Sequence, residues 1–402
     1  MNIRTRLTTL ISVAGLLLST FATQAAVPEP FQGHDPNSVF RIQYADVDAI
    51  LGTMVLDVGR STREVAAPAQ SNTGTRVKNK IKRSTAKEGN RFFFEEFEDN
   101  ERYRELLHDV RVALEALPAQ IPLDAFSRKE QLAYWLNLYN VVLLDELVQI
   151  YPEKDLKKEL NGRKSILDQK VVTVADQPLS LNDIKGILKA NYDNDPMIMY
   201  GLFQGVIGGP NIRKKAYTAD TVEYALRDNA VEFINSNRGT YTRNGDFEVS
   251  TLYEQNSDLF PNFNADLKAH LMNFIQGQER SDLQTASKLD PDIDDWTVAD
   301  VYGTFRNVTG SFSTSQAALM DAVIGTQPDG EGGTVVTNAS ANYSAILAKA
   351  PTTSNFTPEV QDLIRSITAN EAAEMLVREG RVTVEELGTR PADTPSENPN
   401  EN

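Results

Sequence analysis

The run LAYWLNLYN, Leu132 to Asn140, places two asparagines and three large aromatics in a stretch with helical spacing. Leu132, Trp135, Leu136, Tyr139 and Leu143 form one apolar stripe. Asn137 and Asn140, three residues apart, share a face that Val141, Leu144 and Val148 continue in apolar character. A helix that is apolar all round belongs inside a protein. Amides buried there must find hydrogen-bond partners, so the run marks the centre of a domain. The two asparagines line a site or tie buried backbone together, and the spacing fits both readings.

The first 25 residues read as a secretory signal peptide. Arg4 and Arg6 precede an apolar stretch from Leu7 to Phe21, and small residues follow at Ala22, Thr23, Ala25 and Ala26. A retained anchor is the alternative, but the stretch is short for a membrane span. The expectation is a periplasmic or secreted protein with no stable membrane span after cleavage. Cysteine is absent, which excludes disulfides, thiolate metal sites and a lipid-modified cysteine. The formal net charge of −16 becomes two units more negative once the arginine-bearing leader is removed. Such a balance disfavours nucleic acid and anionic lipid as partners.

Between Arg60 and Lys87 the trend reverses, with eight Lys or Arg against one acid. This basic loop is either a docking strip or a solvated segment lying on the protein's own acidic surface. Tyr103, Leu106, Leu107, Val110, Leu114 and Leu117 predict an amphipathic helix stopped by Pro118. Residues 26–119 are thus expected as an N-terminal helical segment carrying the basic loop 60–87. Further along, Lys170 to Val174 is β-prone, Ser180 and Asp183 resemble a capping box, and Asp220 with Glu223 suggests a second one. Asn244-Gly245 between two β-prone arms signals a hairpin. Leu267, His270, Leu271 and Phe274 predict another helix. Beyond Asp290 the pattern reads as helical, making 263–389 a C-terminal helical region and 390–402 a disordered tail.

YWLNLYN with the downstream PLSLNDI (Pro178 to Ile184), Asp195-Pro196, Ala216-Tyr217 and STLYEQNSDLF (Ser250 to Phe260) resembles the bacterial and plant family known as domain of unknown function 547. The resemblance spans roughly residues 120–262 and implies an α+β fold, mainly helical, with a small antiparallel or mixed sheet in that central domain. It also implies a cysteine after a β-strand and a Glu-His pair at the helix following LSL, the logic of a thiol nucleophile with a histidine partner. Here Gln204, in YGLFQGVIGGP, stands in the cysteine's place, and Lys185 and Gly186 stand where the acidic and histidine residues belong. An amide is no nucleophile at neutral pH, so the family's reactive groups are missing.

Of the remaining groups, Gln204 either offers an amide to a ligand or fills the former site. The turn at Gly205, Gly208, Gly209 and Pro210, followed by Arg213, Lys214 and Lys215, is an anion cradle or simply a turn. His34, His108 and His270 form no metal-binding spacing. LDPDIDDW, Leu289 to Trp296, lacks the glycine and bidentate glutamate of a calcium loop and reads instead as an acidic helix start. No metal or other cofactor is expected. The sequence favours a non-catalytic relative that binds a small molecule or protein through a remodelled pocket. Its candidate residues are Gln204, Lys185, Asn137, Asn140, Trp135 and Tyr139. The alternative is a hydrolase working through carboxylates such as Glu130 or Asp183.

Overall fold

A computed structural model describes residues 27–65, 84–85, 88–98, 100–301, 327–328, 334–335 and 377–386. The leader, most of the basic loop, most of the C-terminal region and the tail lie outside these residues. Strand β1 (Phe40–Gln43) leads into helix α1 (Ala45–Met54), and β2 (Val55–Leu56) pairs antiparallel with β3 (Arg91–Phe92). Helices α2 (Glu101–Gln120) and α3 (Arg128–Ile150) follow. The α2 helix runs past Pro118 instead of stopping there. Pro118 cannot donate to the Leu114 carbonyl one turn back, and the buried Tyr134 hydroxyl donates to it instead at 3.1 Å.

Ser127 caps α3, its hydroxyl accepting from the Glu130 N–H at 3.3 Å. Eighteen of the 23 residues of α3 are buried, on every face, as the all-round apolar pattern requires. Helix α2 packs along it, contributing Leu106, Leu107, Val110 and Leu114, all fully buried. Arg111 of α2 is buried too, and reaches Asp145 at 2.7 Å and Glu146 at 2.9 Å on α3.

A short helix α4 (Lys157–Asn161) precedes the hairpin of β4 (Val172–Val174) and β5 (Gln177–Leu179). Its turn residues, Ala175 and Asp176, both have positive φ, 46° and 60°. Helix α5 (Leu181–Asn191) opens with the expected capping box. The Asp183 N–H donates to Ser180 Oγ at 3.1 Å, and the Ser180 N–H donates to the Asp183 carboxylate at 2.6 Å. Helix α6 (Val222–Ile234) does not use the predicted box. Its N-cap is Thr221, without a side-chain cap, and Glu223 pairs instead with Lys129 at 2.8 Å.

The hairpin β6 (Thr240–Arg243) and β7 (Asp246–Ser250) turns at Asn244 and Gly245, with φ of 52° and 93°. Helices α7 (Thr251–Gln255), α8 (Phe263–Met272) and α9 (Gly277–Thr285) follow. The chain then departs from expectation. Leu289–Ile293, read from its acids as a helix start, is a strand, β8, pairing parallel to β7 and completing a three-stranded mixed sheet. Leu289 and Ile293 are buried and the acids between them face outward, so tertiary pairing overrides poor β-propensity.

Two short strands, β9 (Gln327–Pro328) and β10 (Thr334–Val335), pair with each other. The last strand, β11 (Thr383–Glu386), pairs antiparallel with β1. This C-terminal piece is therefore extended, not helical. It is pinned by Asp46, which accepts from Arg378 at 2.9 Å and from the Arg381 N–H at 2.7 Å. The fold is α+β and mainly helical, with small antiparallel and mixed sheets.

Two hydrophobic cores result. The larger surrounds α3 and extends to Phe31, Phe92, Phe94 and Phe97. The smaller lies under the mixed sheet, built from Phe233, Tyr253, Leu267, Leu271 and Leu289. The Pro196–Gly201 helical turn runs between them.

Candidate functional site

At the seam between the two cores is a cavity of about 330 Å³. Tyr139 of α3, Leu160 and Leu202 enter it from the larger core, and Met199 and Leu252 from the smaller. Leu167 and Trp296 complete the apolar wall. Its polar lining is made of five carboxamides, Asn161, Asn182, Gln204, Gln255 and Asn256, and one charged side chain, Lys185. No carboxylate lines it among the described residues.

Lys185 is part-buried on α5 and has neither a hydrogen bond nor an ion pair among the described residues. Burial, together with Lys189 one turn along the helix, pushes its ammonium down to about 8, against a weaker opposing pull from Asp258. Asp258 is itself committed, holding Lys189 at 2.7 and 2.8 Å.

Gln204 sits on the loop after the Pro196–Gly201 turn, and its carboxamide is likewise free of hydrogen bonds among the described residues. The loop is glycine-rich because the backbone approaches its surroundings closely. Gly205 has φ +74° and abuts the Leu147 side chain. A Cβ on Gly208 would lie 2.7 Å from the Asp295 backbone N and O. One on Gly209 would lie 3.1 Å from Gln204 Oε1. The Gly-Gly-Pro turn is thus a packing device that leaves room for Gln204, which fits the plain-turn alternative of the two readings. Arg213 beyond it pairs with Asp228 at 3.2 Å, and the Gly209 carbonyl accepts from the fully buried Arg238 at 2.6 Å.

Three of the six candidate residues, Gln204, Lys185 and Tyr139, therefore meet in one cavity. The other three do not. Asn137 clasps the backbone of Tyr217, accepting its N–H at 2.9 Å and donating to its carbonyl at 2.8 Å. Asn140 does the same across Gly201 and Phe203, donating to the Gly201 carbonyl and accepting the Phe203 N–H, each at 2.9 Å. Trp135 is fully buried against Phe31 and Tyr134, with ring centroids 5.1 Å away in both cases. Helical spacing put these residues on identifiable faces, but could not show that backbone, not solvent, stands opposite them. Asn140 nevertheless bears on the cavity, since it fixes the loop that delivers Gln204.

The carboxylates of the hydrolase reading are both occupied outside the cavity. Glu130 is buried, accepts the Ile42 N–H at 3.0 Å and lies 3.8 Å from Arg41. Asp183 serves the capping box and pairs with Lys170. His270 accepts or donates to the Tyr200 hydroxyl at 2.9 Å, His108 lies 3.2 Å from Asp145, and no metal-binding group occurs among the described residues.

The sequence reading missed Asn256, Trp296 and Leu252 as cavity residues. Asn256 is 1 % exposed, its Nδ2 donates to the Leu252 carbonyl at 2.8 Å, and its Oδ1 is buried without a partner. The Trp296 indole is oriented by Asp294, which accepts its N–H at 3.1 Å. Trp296 belongs to a segment whose backbone is stitched to the chain on either side of the cavity. Its carbonyl accepts from Leu156 at 2.9 Å, the Thr297 carbonyl from Ile207 at 2.8 Å, and the Ala299 N–H donates to Gly205 at 2.9 Å.

An α+β domain centred on an asparagine-bearing helix, with the 204 loop and α5 facing one cavity, is the arrangement that the sequence resemblance anticipates. Residues 123–234 match the family model described as "Protein of unknown function, DUF547", so this segment is similar to that family. Searches of curated proteins and of solved structures returned no match. Four lining residues, Leu252, Gln255, Asn256 and Trp296, come from beyond the matched residues.

Proposed function

We propose that this chain is an exported, non-catalytic member of its family that binds a small organic acid in the cavity between its two cores. The observation that carries this reading is Lys185: it is the one charged side chain lining the cavity among the described residues, and no carboxylate there neutralises it. A buried ammonium lacking a counter-charge is costly, and an anionic ligand supplies that charge. The carboxamides of Gln204 and Asn256 can donate to or accept from the ligand's polar atoms. Tyr139, Leu202 and Trp296 would enclose its apolar part, in the usual proportion of a small-molecule pocket. The replacement of the family's reactive residues by Gln204, Lys185 and Gly186 supports binding over turnover.

The test is calorimetry or thermal shift of the purified protein against matched mono- and dicarboxylic acids, their amides and the corresponding amines. Acids are expected to bind, with affinity falling at least about tenfold in Lys185→Met, the loss of one charge-assisted hydrogen bond. Equal binding of acids and amines, or binding unaffected by the substitution, would refute the reading. Export is tested separately, by fractionating cells that express the full chain and following removal of the leader.

A further inference from the structure

We propose that the cavity captures carbonyl-bearing acids, such as 2-oxo acids and aldehyde acids, through a reversible imine on Lys185 Nζ. This rests on the reading of the cavity as a ligand site and adds the class of ligand and the bond it makes. Three features of the geometry converge on it. Lys185 of α5 lines the cavity without a hydrogen bond or ion pair among the described residues, so loss of its proton alone frees its lone pair. No carboxylate lines the cavity to hold it as ammonium, whereas Lys189, tied to Asp258 at 2.7 Å, keeps a second positive charge one helical turn away. A desolvated lysine beside another cation is the standard environment of an amine nucleophile.

The third feature is Tyr139. Its phenol lines the same cavity, makes no hydrogen bond among the described residues and is held protonated by burial. It is therefore an O–H donor available to a carbonyl oxygen. In the proposed step the neutral amine's lone pair forms a C–N bond to the carbonyl carbon, while the C=O π electrons move to oxygen. A proton passes from nitrogen to that oxygen, giving a carbinolamine. The nitrogen lone pair then expels the hydroxyl, which leaves with a proton as water, and an imine remains. Amine plus carbonyl gives imine plus water, with no oxidant or further reactant. The ligand's carboxylate accepts from the Gln204 carboxamide N–H, which has no other acceptor among the described residues. With Lys185 near 8, its free-base fraction at neutral pH exceeds that of an ordinary lysine by roughly a hundredfold.

The experiment is reductive trapping. The purified full chain is incubated with glyoxylate or pyruvate and limiting cyanoborohydride, then digested and mapped by mass spectrometry. Labelling is expected at Lys185 at least about tenfold above that at exposed lysines such as Lys158, which is 91 % exposed. Lys185→Arg should lose the adduct with unchanged circular dichroism, and Tyr139→Phe should slow its formation. Labelling spread across surface lysines, or none at Lys185, overturns the proposal. Calorimetry with the same acids separates the two readings. Saturable binding without an adduct defeats only the imine, whereas no binding and no adduct defeats the ligand site itself.

Discussion

Phe203 donates its backbone N–H to Asn140 Oδ1 at 2.9 Å, one residue before Gln204 enters the cavity. The same amide holds the Gly201 carbonyl from the other side. A side chain on the central helix thereby sets the backbone path of the loop carrying Gln204. Asn140→Leu leaves a buried N–H and a buried carbonyl without partners, and is expected to destabilise by roughly 1–3 kcal/mol. Urea denaturation with an unchanged m-value measures it. Full stability with lost ligand binding would instead make Asn140 a direct contact.

The capping box of α5 offers a second measurement. Ser180→Ala removes the hydroxyl that accepts the Asp183 N–H and is expected to cost about 0.5–2 kcal/mol. Because α5 also carries Lys185, the fraying of its first turn should weaken acid binding as well as lower the melting temperature.

Much of this local architecture is legible in the sequence, because it depends on residues close together in the chain. Ser180 and Asp183 announce their box, Asn244-Gly245 its hairpin, and the Leu132–Asn140 run its burial. What the sequence conceals is long-range. Nothing in LDPDIDDW favours a strand; Leu289–Ile293 becomes one because β7 presents an unpaired edge to it. Asn256 and Trp296 reach the cavity from segments that carry no local mark of a site. Spacing places Tyr139 and Asn140 on different faces of the helix, but does not say which face meets the cavity and which a loop.

Gly208 tests the close packing behind Gln204. Gly208→Ala drives a Cβ to 2.7 Å from two Asp295 backbone atoms, with no flexible side chain to yield. The expected cost is about 1–3 kcal/mol, readable as a lowered denaturation midpoint, together with displacement of Trp296 detectable in its fluorescence.

His270 predicts a pH dependence. Burial lowers its pKa to about 4 from the ordinary 6.5, so the unfolded chain binds more protons between these values. Stability should rise with pH across this window and be lost as pH falls from 6.5 towards 4. The integrated effect is roughly 1–3 kcal/mol, its lower end reflecting the ring's partial exposure. Denaturation midpoints of His270→Gln, measured at pH 4.5 and 7, should show a smaller difference than those of the parent.

The stitch from Trp296 to Asp300 has a consequence for how the chain comes into being. This segment bonds to residues 154–156, 205–208 and, through the Phe92 N–H to the Ala299 carbonyl at 2.8 Å, to the N-terminal β3. A growing polypeptide therefore reaches the end of its family-matched stretch with the cavity still missing a wall. That wall is complete only after some sixty-five further residues have emerged. Evolutionary and physical units of this molecule do not coincide: the stretch that defines its kinship is shorter than the stretch that must assemble as one.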